Sequence, residues 1–249
     1  MSEKIDIAVD GGVLIITINR PDKKNALDGA MYDAMSGALA RATAADEVRA
    51  VLIGGTAGVF TAGNDLADFL AFAATMETMP AGRFIHSLAR FEKPIVAAVD
   101  GPAVGIGTTL CFHCDLVYAA PGARFQMPFV SLGLVPEAGS SLLAVQRFGL
   151  ARAAEYLMLG EAFDAATAAR IGLVNAVVEA DDLRDHALGR AKALAAKPRA
   201  ALLATRKLLR GDPEPLHAQM AKEDAIFAEA LASPDAKAAF SAFLQRSKK

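Results

Sequence analysis

One carboxylate stands apart from the other charges of this chain. Glu137, in Gly133-Leu-Val-Pro136-Glu137-Ala-Gly-Ser-Ser141, has uncharged sequence on both sides, from Phe125 to Pro136 and from Ala138 to Gln146. A carboxyl group surrounded by apolar residues has its pKa raised, which suits a group that must both take and give a proton. The position also fits ordinary helix chemistry, because an acid just after a proline is favoured in the first turn of a helix. Local sequence supports the two equally.

Two glycine turns follow short apolar runs. Gly101-Pro-Ala-Val-Gly105-Ile-Gly107 does not make a dinucleotide fingerprint, since Leu110 stands where the third glycine belongs, and it has no lysine for a phosphate loop. Such a turn can instead leave backbone N–H groups free at a helix N-terminus to face an anion. Gly63-Asn64-Asp65 is a second turn of the same kind. Together they could place two N–H donors around one developing oxyanion; each alone also fits plain loop geometry.

Cys111-Phe-His-Cys114 has the spacing of a redox or metal motif, but it closes an uncharged run from Gly101 and has no second Cys or His pair nearby. A packed helix accounts for it better. His86, His113, His186 and His217 show no metal spacing and read as structural or surface residues.

The elements that must carry these residues are short strands alternating with helices. Ile5 to Val9 and Val13 to Ile18 flank Asp10-Gly11-Gly12 as a hairpin. Asp28 caps a helix whose apolar spacing is Met31, Met35, Leu39 and Ala42. Buried strands follow at Arg49 to Ile53 and Pro94 to Val99, with shorter ones at Leu116 to Ala119 and Ala123 to Met127. The Gly105-Ile-Gly107 turn opens a helix into Cys114. From Ala151 the chain is helical and alanine-rich: Ala151 to Leu159, Asp164 to Arg170, Asp181 to Ala196, Pro198 to Leu209 and His217 to Leu244, with one strand at Val174 to Val178. This pattern predicts an α/β core followed by helices.

Composition narrows the partners. The chain has 249 residues, 53% of them hydrophobic and 22% charged, with a net charge of −2, which excludes disorder and gives no attraction to nucleic acid. Its longest charge-free stretch, Ala50 to Asn64, is fifteen residues, short of the about 20 that span a bilayer. Two cysteines, an N-terminus without a signal-like core and a C-terminal Arg246-Ser-Lys-Lys249 that is no peroxisomal address together predict a cytoplasmic protein.

Taken in order, the motifs resemble the crotonase superfamily, also called the enoyl-CoA hydratase/isomerase family. They are Ile18-Asn-Arg-Pro21, Asn25-Ala-Leu27, Val51-Leu-Ile-Gly54, Phe60-Thr-Ala-Gly-Asn-Asp-Leu66, Lys93-Pro-Ile-Val-Ala-Ala-Val-Asp-Gly101, Cys114-Asp-Leu-Val-Tyr-Ala119, and Ala165 to Gly172. The resemblance implies an α/β fold: a crotonase-like spiral of ββα units over 1–195 carrying an acyl-CoA site, and a C-terminal helical region, 196–249, that builds a homotrimer or a dimer of trimers. It assigns the oxyanion donors to the backbone N–H groups of Asn64 and Ile106. It puts coenzyme A and substrate contacts at Lys24, Ala26, Ala62, Gly63, Asp65, Leu66, Gly105, Pro128 and Phe129. It implies no metal or redox cofactor, coenzyme A entering as part of the substrate.

Departures from the family pattern point to a subgroup. Where typical hydratases carry two water-activating glutamates, this chain has Thr109 and Phe129, whereas Glu137 matches the single glutamate of Δ3,Δ2-enoyl-CoA isomerases. The resemblance therefore implies an isomerase of fatty acid degradation. Hydratase or other acyl-CoA lyase or hydrolase chemistry is the alternative, and a non-catalytic acyl-CoA-binding homologue the alternative of another class. Phe69, Phe72, Ala73, Phe84, Phe129 and Leu134 are candidates for an acyl pocket and equally for ordinary core.

Overall fold

The hairpin signal at Asp10-Gly11-Gly12 opens the fold in the computed structural model, which describes residues 3–67 and 79–246, with the side chains of 243–246 excepted. Strands β1 (Ile5–Asp10) and β2 (Val13–Ile18) pair antiparallel, Ile5 opposite Ile18. Strands β3 (Ala50–Gly55) and β4 (Ile95–Val99) then add in parallel. A second, three-stranded sheet consists of β5 (Pro102–Val104), β7 (Arg124–Gln126) and β8 (Phe163–Asp164). With β6 (Leu116–Ala119) and β9 (Ala176–Val177), the larger sheet has the order β1-β2-β3-β4-β6-β9.

A parallel sheet needs cover on both faces, and side chains alternate between the faces along each strand. Leu14, Ile16 and Ile18 of β2, Val51 and Ile53 of β3, and Ile95, Ala97 and Val99 of β4 enter the larger core. Helices α1 (Gly29–Ala44), α2 (Pro80–Arg90) and α3 (Ile106–His113) cover that face. Asp28 caps α1 as expected, its carboxylate accepting from the Met31 N–H at 3.0 Å.

Helices α4 (Ser140–Phe148), α5 (Leu150–Ala154) and α6 (Ala165–Arg170) follow, then α7 (Ala180–Ala195), which covers the opposite face. On α7, Leu183, Ala187, Ala191 and Ala195 recur every four residues against Val13, Ile15, Ala50, Leu52, Val96 and Ala98. The small alanine side chains let the helix lie close on the strands, which explains the alanine bias.

Three expectations need correction. Pro102–Val104 forms a strand inside the stretch taken for a glycine turn, its register with Arg124–Gln126 set by pairing across the fold and not by any periodicity of three residues. Strand β3 runs on through Gly54 and Gly55. After α8 (Arg199–Arg210), the single helix expected from His217 to Leu244 is two, α9 (Glu214–Ala232) and α10 (Pro234–Arg246). Pro234 cannot continue the turn before it, and the Ser233 hydroxyl accepts from the Ala236 N–H at 3.1 Å to cap the next helix. Met220, Ala236 and Phe240 from these two helices are buried in the same core as β2 to β4. Among the described residues no helix is long and apolar enough to cross a membrane.

Candidate active site

The two glycine turns lie side by side because the residues just before them pair. Thr61 donates its N–H to Pro102 O at 2.9 Å, and Val104 donates to Thr61 O at 3.0 Å, a parallel bridge between Thr61 and Ala103. Two residues beyond each bridge partner the backbone leaves the regions open to side-chain-bearing residues. Gly63 has φ +91°, and a Cβ there would lie 2.9 Å from Val104 O. Gly105 has φ 55° and ψ −116°, conformations that glycine alone adopts without strain.

Directly after each glycine stands a residue whose N–H has no acceptor among the described residues. Ile106 is the first residue of α3, so its N–H is one of the helix's orphan donors, at the positive end of the helix dipole. Asn64 sits between Gly63, whose carbonyl accepts from Leu27 N–H at 2.8 Å, and Asp65, whose N–H donates to Leu27 O at 2.8 Å. That bridge uses the neighbours of Asn64 and leaves its own N–H over. Its side chain is held elsewhere, the Tyr32 hydroxyl donating to Asn64 Oδ1.

The same helix α3 also holds Glu137. One turn after Ile106, the fully buried Thr109 donates its hydroxyl to Glu137 Oε1 at 2.5 Å. Glu137 is half-buried as a residue while its carboxyl group is densely enclosed, and this burial raises its pKa to about 8. The Thr109 hydrogen bond opposes the rise, and the charges of Glu223 and Asp224 add to it. Glu137 is not in the first turn of a helix, since α4 starts at Ser140. It precedes a turn in which Ala138 and Gly139 have φ 59° and 69°. Ala138 O accepts from His113 Nε2 at 2.8 Å, and Gly139 N–H donates to Glu223 Oε2 at 2.6 Å.

The other positions singled out in the sequence fall into two groups. Lys24, Ala26, Ala62, Gly63, Asp65 and Leu66 come together, because Ala62 N–H donates to Lys24 O at 3.0 Å and Leu27 bridges to Asn64. Asp65 is tied by Arg20, whose Nη1 also donates to Ala26 O at 3.0 Å. Gly105 N–H donates to Gln126 O at 2.8 Å, two residues before Pro128. Phe84, Phe129 and Leu134 are buried in the main core, and Pro128 is half-buried. Phe69, Phe72 and Ala73 lie outside the described residues. The Cys111 and Cys114 thiols are free and buried, and burial pushes Cys111 up to about 12, as a packed helix requires.

Several residues that support the site were not read in that role from the sequence. Asn25 is fully buried at φ 56°, its side-chain amide donating to Thr56 O and to Val59 O at 2.7 Å while its main-chain carbonyl accepts from Thr61 Oγ1 at 2.7 Å. It thereby staples the 24–27 segment to the first glycine turn. Arg20, Tyr32, His113 and Glu223 are likewise defined by partners remote in sequence. Only a left-handed Asn in the Lys24-Asn25 turn carries a local signal, since Asn tolerates that conformation.

Backbone donors at two turns and an enclosed carboxylate on one α/β scaffold are groups that acid–base chemistry with stabilisation of an anion would need. Residues 8–249 match the enoyl-CoA hydratase/isomerase family model. A probable enoyl-CoA hydratase of Rhodobacter capsulatus is 34% identical over 242 residues, 96% of this chain and 93% of that protein. Enoyl-CoA delta isomerase 2 of Rattus norvegicus is 37% identical over 224 residues, 87% of this chain and 57% of that protein. The crystal structure of an enoyl-CoA hydratase/isomerase from Pseudoalteromonas atlantica T6c superposes with a TM-score of 0.93 at 41% identity, covering 98% of each chain. The chain belongs to the enoyl-CoA hydratase/isomerase family, the crotonase superfamily, and is an enzyme acting on acyl-CoA.

Proposed function

We propose that this enzyme is a Δ3,Δ2-enoyl-CoA isomerase serving fatty acid degradation. The observation that carries it is the Thr109–Glu137 hydrogen bond. Where the resemblance puts one of the hydratase carboxylates, a neutral hydroxyl holds the Glu137 carboxyl group. Moving a double bond from C3–C4 to C2–C3 needs one proton removed at C2 and one delivered at C4, and a single carboxyl group can do both. Ionised Glu137 takes the C2 proton; the electron pair moves into the thioester carbonyl, giving an enolate met by the Asn64 and Ile106 N–H groups. Collapse of the enolate forms the C2–C3 double bond as protonated Glu137 returns the proton to C4. Thr109 occupies Oε1, which leaves Oε2 as the oxygen that moves the proton. A pKa of about 8 suits both halves of that cycle.

Under this proposal Lys24, Ala26, Ala62, Gly63, Asp65, Leu66, Gly105, Pro128 and Phe129 contact the coenzyme A and acyl parts of the substrate. Residues 196–249 take part in a homotrimer or dimer of trimers. Leu208 and Leu209, each 83% exposed on α8, support an assembly that covers them. The setting is the cytoplasm, and coenzyme A is the only cofactor moiety involved.

Hydration of 2-enoyl-CoA is the second reading, favoured by the hydratase name of the Rhodobacter relative. The test is a medium-chain 3-enoyl-CoA with absorbance of the conjugated 2-enoyl thioester followed over time, beside a 2-enoyl-CoA hydration assay, each repeated with Glu137→Gln. Conjugation that disappears in Glu137→Gln, without hydration, is the expected result. Hydration without conjugation would establish the second reading, and acyl-CoA binding without either reaction would make the protein a non-catalytic homologue.

A further inference from the structure

Resting on Glu137 as the proton carrier, we propose that Glu223 of α9 is a positioning residue for it, gripping the main chain after Glu137 together with His113 of α3. The turn at Ala138-Gly139 does not hold itself: two successive left-handed residues, one of them an alanine, persist only where the surroundings impose them. The surroundings are two buried polar side chains from two different helices. Glu223, 5% exposed, accepts from Gly139 N–H at 2.6 Å, from Ser141 N–H at 3.0 Å and from the Ser141 hydroxyl. Gln219, one turn earlier on α9, donates to the same hydroxyl at 2.9 Å. From α3, His113 reaches Ala138 O at 2.8 Å. A carbonyl only accepts, so Nε2 carries the proton; Nδ1 is buried with no partner, and burial lowers the His113 pKa to about 4, keeping the ring a neutral donor.

Helix α9 is pressed directly on this turn, since a Cβ at Gly139 would lie 2.3 Å from Leu216 Cδ1. Nothing apolar is gained by burying Glu223 there; its three donors all lie within four residues of Glu137. The chemistry this serves is orientation, with a charge effect beside it. The Glu223 carboxylate is like-charged with Glu137 and favours its protonated form. Around them, Asp224 on α9, which pairs with His86 of α2 at 2.8 Å, also favours protonated Glu137; the charges of Arg147 on α4 and of Arg206 and Arg210 on α8 help to keep His113 neutral, and burial raises the pKa of Glu223 itself. The C-terminal helices thus complete the catalytic turn.

The test uses Glu223→Gln and Glu223→Asp in the full chain. Titration of Glu137 is read by carboxyl 13C NMR, its signal assigned by loss in Glu137→Gln, and kcat and KM are measured on 3-enoyl-CoA. In Glu223→Gln the pKa of Glu137 is expected to fall. The kcat should fall about tenfold or more at little change in KM, as misplacement of a reacting group produces. Glu223→Asp, which keeps the charge, should restore the pKa but only part of kcat. A folded Glu223→Gln with the pKa of Glu137 and kcat of the wild type overturns the positioning role while a dead Glu137→Gln leaves the isomerase proposal standing. Normal turnover by Glu137→Gln overturns both. If Glu223→Gln does not fold, Glu223→Asp, which withdraws the carboxylate from all three donors, carries the test, and a wild-type kcat there overturns the role.

Discussion

Replacing Glu137 by Gln should stabilise the folded chain at alkaline pH, although under the proposed mechanism it should abolish isomerisation. The unfolded carboxyl ionises near 4.5, the ordinary value of a glutamate, whereas the folded one holds its proton up to about 8. Between those values the folded state binds more protons than the unfolded one, so raising the pH favours unfolding by about 1.4 kcal/mol per unit. The full shift corresponds to a loss of about 5 kcal/mol above pH 8. Glu137 as a residue is only half-buried, so solvent screens part of this, leaving an expected gain of about 2–5 kcal/mol for the amide. Gln keeps an oxygen that accepts from Thr109, so the substitution removes the ionisation and little else. The assay is urea unfolding followed by circular dichroism at half-unit steps from pH 5 to 9, wild type beside variant at one protein concentration. The two curves should diverge steadily up to about pH 8 and run parallel beyond it. Curves that stay parallel throughout would mean that Glu137 titrates as it does in water, and the idea of an enclosed proton carrier would be wrong.

Three further outcomes follow from the same geometry. Because the free enzyme must present an ionised Glu137, kcat/KM should rise with pH and level off above about 8, where a flat profile from 7 to 9 would contradict the shift. Thr109→Val removes the hydrogen bond that lowers the Glu137 pKa, so the midpoint of that profile should move to higher pH and kcat fall about tenfold; a midpoint that moves down would refute the assignment. Gly63→Ala forces a Cβ to 2.9 Å from Val104 O at φ +91°, so it should cost about 1–3 kcal/mol of stability by thermal melting and about 10²-fold in kcat by shifting the Asn64 N–H; wild-type kcat would remove Asn64 from the oxyanion site.

The central sheet was legible because its strands are continuous apolar runs bounded by glycine, proline and aspartate. Cover on both faces is what a parallel sheet demands, and α7 supplies it with alanines whose spacing was visible in the chain. The break at Pro234 carries an ordinary stop signal that the long apolar spacing from His217 to Leu244 outweighed. Phe60 to Leu66 and Gly101 to Gly107 were legible as turns able to share one oxyanion, but the Thr61 to Ala103 bridge that makes them neighbours spans some forty residues of sequence and carries no local signal.

Sequence alone determined which residue types are available: two glycine turns that free a backbone N–H, and one glutamate without a charge on either side. A glycine's freedom and an uncharged flank are local properties, so they can be read from a few residues. Tertiary structure alone decided what surrounds them. Thr109 reads in the chain only as a missing carboxylate, yet in the fold its hydroxyl orients Glu137. Glu223 lies in Lys222-Glu-Asp224, a charged stretch typical of a solvated helix face, yet it is buried against Gly139 and Ser141, more than eighty residues earlier. The pKa of a carboxyl group depends on its distance from water and from other charges, and those distances exist only once the chain has folded.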